Sequence, residues 1–151
     1  MLMRKKSNAG KWAGLAVVLV FIGIIGYFFL SSGSTNEIPA YVGSEMRAMY
    51  EWAKTPEGWS LLEQVPCYCG CKYEGHMQAR HCFWRDDGTF DKHGITCSVC
   101  FDIAKKTRQM HEQGIDICTI RNSIDAFYAP NKQLGTNTPM PEGCQSIVSA
   151  E

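Results

Sequence analysis

The longest apolar run in the chain is Trp12 to Leu30, WAGLAVVLVFIGIIGYFFL, nineteen residues without a charge. At about 1.5 Å per residue a helix of that length approaches the thickness of a bilayer's hydrocarbon core. The pattern predicts a transmembrane anchor over 12–30, preceded by a basic segment, 1–11, and followed by a small polar tether, 31–40. Beyond the tether, apolar positions take helical spacing. Met46, Met49, Tyr50 and Ala53 recur at intervals of three and four from a start at Gly43 or Ser44, until Thr55-Pro56 breaks the period. Thr55 can cap a second short helix, PEGWSLLEQV, that buries Trp59, Leu62 and Val65. A third helix is expected from about Thr96 to Gln113, with Cys97, Cys100, Ala104 and Met110 near one face and Gly114 as its stop. A fourth, capped by Asp116 or Thr119, repeats Ile120, Ile124, Phe127 and Tyr128 and closes at Ala129-Pro130.

Between the second and third helices, the stretch from Pro66 to Gly94 has no sustained period and reads as a tight irregular loop. The tail, 131–151, reads as loosely packed except where Cys144 ties it down. The expected fold is thus a small, mainly α-helical, cysteine-rich domain over 41–130, attached to one N-terminal transmembrane helix. Its aliphatic content is modest, and such a domain needs covalent or metallic staples.

Charge orients this arrangement. Arg4, Lys5, Lys6 and Lys11 precede the apolar run, and all fifteen acidic residues follow it, so the positive-inside bias puts the N-terminus in the cytoplasm and the cysteine domain outside. The expected localisation is the cell membrane, single-pass, with the membrane itself as a partner. A cleaved signal peptide is the competing account; no Ala-x-Ala and no lipid-accepting cysteine follows Leu30, which favours a retained anchor. The mildly acidic remainder has no basic block for a phosphate backbone, so nucleic acid is not an expected partner, and no glycine-rich strand-to-helix signature points to a nucleotide.

All eight cysteines, at positions 67, 69, 71, 82, 97, 100, 118 and 144, follow the apolar run. An oxidising compartment would favour four disulfides, whose pairing the sequence leaves open. Spacing points elsewhere for some of them. Cys67, Cys69 and Cys71 alternate, which makes bridges between neighbours strained, whereas thiolates converging on one ion meet no such limit. Cys97 and Cys100 have C-x₂-C spacing at a helix start, suited to a redox disulfide or to two ligands of one metal. Among the histidines, His76 is the preferred nitrogen ligand; His81 and His93 fit a ligand or an ordinary loop histidine, and His111 is isolated on a helix. The candidate metal donors are therefore Cys67, Cys69, Cys71, Cys82, Cys97, Cys100 and His76. Asp86, Asp87 and Asp91 read as a solvated turn, since they do not match a calcium loop. No zinc-peptidase or covalent-haem motif is present, and no catalytic residue is expected.

The run Pro66-Cys67-Tyr68-Cys69-Gly70-Cys71, followed by Gly75-His76, Cys82-Phe83, Cys97-x₂-Cys100 and the later Ile120-Arg121, Ile124-Asp125 and Tyr128, resembles the bacterial secreted or membrane-attached family named for its PCYCGC motif. The resemblance covers about Tyr41 to Pro130. The family is functionally uncharacterised and its usual members look like lipoproteins. It implies a common set of six cysteines, 67, 69, 71, 82, 97 and 100, and leaves Cys118 and Cys144 as an additional pair suited to a disulfide.

Three functions compete. The first is a membrane-anchored, extracytoplasmic metal-binding protein, with copper slightly ahead of zinc, that receives metal from or delivers it to another extracytoplasmic protein without catalysis. The second is a disulfide-stapled structural or interaction module. The third is a thiol-disulfide oxidoreductase using Cys97 and Cys100, which requires an exposed Cys97 of low pKa.

Overall fold

The computed structural model describes Gly14 and residues 17–26 and 37–147. The chain divides into two units, Met1–Ser34 and Thr35–Glu151. In the first, Gly14 and residues 17–26 are helical; the rest of the expected anchor, the basic segment 1–11 and the tether up to residue 36 lie outside the described residues. No helix among the described residues is long and apolar enough to cross a membrane. The expected single-pass anchor, the membrane partner and the membrane localisation are corrected on this finding.

The second unit is mainly helical, as its periodicity predicts. Helix α1 is Ser44–Lys54, α2 Pro56–Glu63, α3 His93–Thr96, α4 Ser98–Glu112 and α5 Ile117–Phe127. Thr55 separates α1 from α2 in an extended conformation that the following proline favours. Its hydroxyl donates to the Trp52 carbonyl (2.7 Å) and accepts from the Gly58 amide (3.1 Å), so one side chain closes one helix and opens the next. Asp116 caps α5 by accepting from the Thr119 amide at 3.0 Å. The expected third helix is α4, which starts after Cys97 because Cys97 is extended (φ −124°, ψ 108°); the short α3 before it begins in the stretch that read as irregular loop.

Helix α4 is the hub, packing on α1, α2, α3 and α5. Its Ile103, Ala104 and Thr107 are fully buried with Tyr50 and Ala53 of α1, Leu62 of α2, and Ile120 and Ile124 of α5. The tail is better ordered than its composition suggests. A 3₁₀ turn, Ala129–Leu134, follows α5, and the buried guanidinium of Arg121 donates to the carbonyls of Gln64, Thr138 and Pro139 while pairing with Asp125. Asn122 bonds the backbone of Gln145 and Ile147. Cys118 and Cys144 are joined by a disulfide with Cα atoms 5.3 Å apart.

Candidate metal centre

The loop from Pro66 to Lys92 is held from three sides. The tail fixes its start: the Cys67 amide donates to the Thr136 hydroxyl (3.0 Å), and the Thr136 amide donates back to the Cys67 carbonyl (2.9 Å). The Thr136 hydroxyl is shared with that of Thr138 (2.9 Å), which donates to the Met77 carbonyl (2.7 Å), so a chain of hydroxyls spans the loop. Gly70, at φ 88°, turns the backbone sharply between Cys69 and Cys71, a conformation that disfavours any side chain. Cys71 then opens a 3₁₀ turn, Cys71–Glu74, and Cys82 ends a second, Ala79–Cys82.

Helix α1 fixes the far side of the loop. The buried Tyr50 hydroxyl donates to the Asp91 carbonyl at 2.6 Å, and the Trp84 indole donates to the Tyr50 carbonyl at 2.8 Å. Tyr50 packs edge-on against Phe83 and stacks on Phe90, next to the antiparallel bridge that pairs Trp84 with Phe90. The third support is α3 and α4. Gly94 sits so close to Phe83 that an added Cβ would lie 2.8 Å from its ring. This contact brings His93 and Cys97 against the loop, and Cys100 follows in the first turn of α4.

Six free thiols converge there: Cys67, Cys69, Cys71, Cys82, Cys97 and Cys100. The Cys100 sulfur is 3.1 Å from that of Cys67 and 3.4 Å from that of Cys69; Cys67 and Cys69 are 3.5 Å apart, and Cys71 and Cys82 3.8 Å apart. All of these exceed a covalent S–S bond, which is about 2.05 Å. They fall at or below the roughly 3.8 Å edge of a tetrahedron of sulfurs, each about 2.3 Å from a central ion. Two four-donor groups result, each with its ligand atoms within 4.8 Å of one another: the buried Cys67, Cys71, Cys82 and Cys100, and the half-buried Cys69, His93 and Cys97 with Cys100 again. These clusters are capable of coordinating a metal ion. Glu74, His76 and His93 form a third group.

The histidines divide the roles. His93 Nε2 is 3.4 Å from the Cys69 sulfur, and its Nδ1 is 3.2 Å from the Glu74 carboxylate. A carboxylate on Nδ1 holds the proton there and leaves Nε2 free to ligate, which is the usual arrangement of a metal-bound imidazole. His76 is buried beside Cys82, with Nδ1 3.4 Å from the sulfur. Its Nε2 has no hydrogen-bond partner and faces Asp91 at 3.6 Å, an ionic rather than a hydrogen-bonded contact. Burial disfavours the imidazolium, but Asp91 and Cys71 outweigh it and raise the pKa to about 9. His81 turns away, accepting from the Met77 amide and pairing with Asp86, and His111 pairs with Glu57 on the surface.

Without an ion the six thiols cannot all be ionised. Contact with Cys100, then Cys67, lowers the Cys71 pKa to about 2, whereas Cys100 is raised by contact with Cys67, Cys69, Cys71 and Cys82 and by its burial. Protons are thus shared unevenly across neighbouring sulfurs; a bound cation would replace them and hold every ligand as thiolate. Burial raises Cys97 despite the opposing Cys100 amide. An exchange nucleophile needs the opposite, an exposed thiol of lowered pKa.

The structure brings together all six expected cysteines and sets His76 beside them. Sequence reasoning undervalued His93 and missed Glu74, Thr136 and Thr138. His93 lies only four residues before Cys97, a spacing that could have singled it out. The two threonines carry no local signal, because their role depends on how the tail folds back. The acidic turn is also more than solvated: Asp91 pairs with Arg85, and Asp86 with Arg80 and His81.

No curated protein and no solved structure matches the chain. A family model described as a protein of unknown function with PCYCGC motif matches residues 30–141, a longer span than the motif residues alone suggest. With the motif hexapeptide at the centre of the thiol cluster and most of the chain inside the match, the chain belongs to the PCYCGC-motif family.

Proposed function

We propose that this domain binds a thiophilic d¹⁰ metal ion, Cu(I) or Zn(II), and holds or transfers it without catalysing a reaction. The observation that carries this reading is the convergence of Cys67, Cys71, Cys82 and Cys100, all buried and unbridged, with their sulfurs within 4.8 Å of one another. Four neutral thiols gain little from one another beyond packing, and four buried thiolates without a cation would be strongly disfavoured. A cation resolves both.

Thiolate softness suits Cu(I), which the sequence favours; four donors per group suit Zn(II), whose closed structural sites are tetrahedral. Calcium and magnesium require oxygen ligands and do not match this donor set. Titration of the reduced, metal-free full chain with each ion separately, followed by thiolate-to-metal charge transfer in the ultraviolet, tests the proposal. A saturating transition that is diminished in Cys67→Ser/Cys71→Ser supports it. No transition with either ion would overturn it. The oxidoreductase alternative loses support from the half-buried Cys97 with its raised thiol.

A further inference from the structure

We infer that the centre is binuclear, with Cys100 as a bridging thiolate between an enclosed inner ion and an exchangeable outer one. The inference rests on the metal-binding reading and adds to it a stoichiometry, a shared ligand and a direction of access. The inner set is Cys67, Cys71, Cys82 and Cys100; the outer set is Cys69, His93, Cys97 and Cys100. Together they use every free cysteine of the domain, and only Cys100 is used twice. One ion could not satisfy seven donors, since Cu(I) and Zn(II) in closed thiolate sites take about four. A thiolate has lone pairs enough for two ions, and the Cys100 sulfur, 3.1 Å from Cys67 of one set and 3.4 Å from Cys69 of the other, is placed between them.

The two positions differ in access. The inner cysteines are at most 1% exposed. Cys69, His93 and Cys97 are each partly exposed, and His93 and Glu74 stand in the wall of an open cleft of about 670 Å³ that Tyr41, Asp91 and Lys92 also line. An ion held by the outer set can therefore be approached by a competing ligand through the cleft, on the His93 side, while the inner ion has no such path. Closed four-ligand sites hold metal structurally, and exchange requires a face that an incoming ligand can reach. Of the third donor group, Glu74 belongs to the hydrogen-bonding shell of the outer ion, because it occupies the Nδ1 side of His93, whereas His76 contacts Cys82 of the inner set.

The test uses the full chain, reduced and loaded with ¹¹³Cd(II), which stands in for Zn(II). Native mass spectrometry should find two ions per chain, and the ¹¹³Cd spectrum two resonances split by each other through the shared sulfur. A moderate chelator should remove one ion at least tenfold faster than the second. His93→Ala/Cys97→Ser should retain a single, slowly exchanging ion with an unchanged far-ultraviolet circular dichroism spectrum. One ion in the parent chain, or two unsplit resonances, would overturn the bridged centre while leaving metal binding intact. No bound ion at all would overturn both.

Discussion

The Cys100 sulfur lies 3.1 Å from that of Cys67, although the two residues are thirty-three positions apart and belong to a helix and a loop. That approach requires α4, the loop and the tail all to be in place, so metal binding and folding are linked. Removing metal with a chelator should lower the unfolding temperature of the reduced domain. At free metal a hundred times the dissociation constant the linkage is worth about 2.7 kcal/mol. Equal unfolding transitions with and without metal would contradict the linkage.

Thr136 is expected to position Cys67. Thr136→Val leaves the buried Cys67 amide without its acceptor and breaks the hydroxyl chain to Met77. The expected cost is about 1–3 kcal/mol in denaturant unfolding, with weaker metal retention than in the parent. Thr136→Ser, which keeps the hydroxyl, should restore most of both.

The helical part of this architecture was legible in the sequence and the site only in outline. Thr55-Pro56, Gly114 and Asp116 mark helix ends by local chemistry, and the structure follows them. The six motif cysteines announced themselves by spacing. What was not legible depends on distant parts of the chain meeting: Thr136 on Cys67, Arg121 on the tail carbonyls, Tyr50 on the Asp91 carbonyl. The short α3 was missed for a related reason, since its Gly94 packs on the distant Phe83. The apolar run before residue 31 illustrates the converse: hydropathy alone predicted a span, and no described helix is long and apolar enough to be one.

The Cys118–Cys144 disulfide closes a separation of 26 residues and contributes no donor to either group. Cys118→Ser/Cys144→Ser should therefore destabilise the fold by about 2–4 kcal/mol and leave metal stoichiometry unchanged in conditions where the variant is folded. Loss of metal from the folded variant would show that the tail disulfide is part of the centre.

Acid should act on the metal-free fold through Asp91. Burial would raise its carboxyl, but His76, the His93 amide and Arg85 hold it at about 2, below its ordinary 3.8. A folded-state pKa below the unfolded one means that the contribution to stability is complete above about 3.8 and is lost as pH falls through about 2. Asp91→Asn should be less stable than the parent near neutral pH and show a flatter decline across that window in thermal melts. Parallel curves would contradict this role.

The most direct test is metal analysis combined with free-thiol counting on the full chain, isolated without chelator. The account predicts copper or zinc at one or more equivalents, six thiols that react only after metal is removed, and one disulfide. No copper or zinc, together with six thiols that react freely or are paired in disulfides, would contradict it.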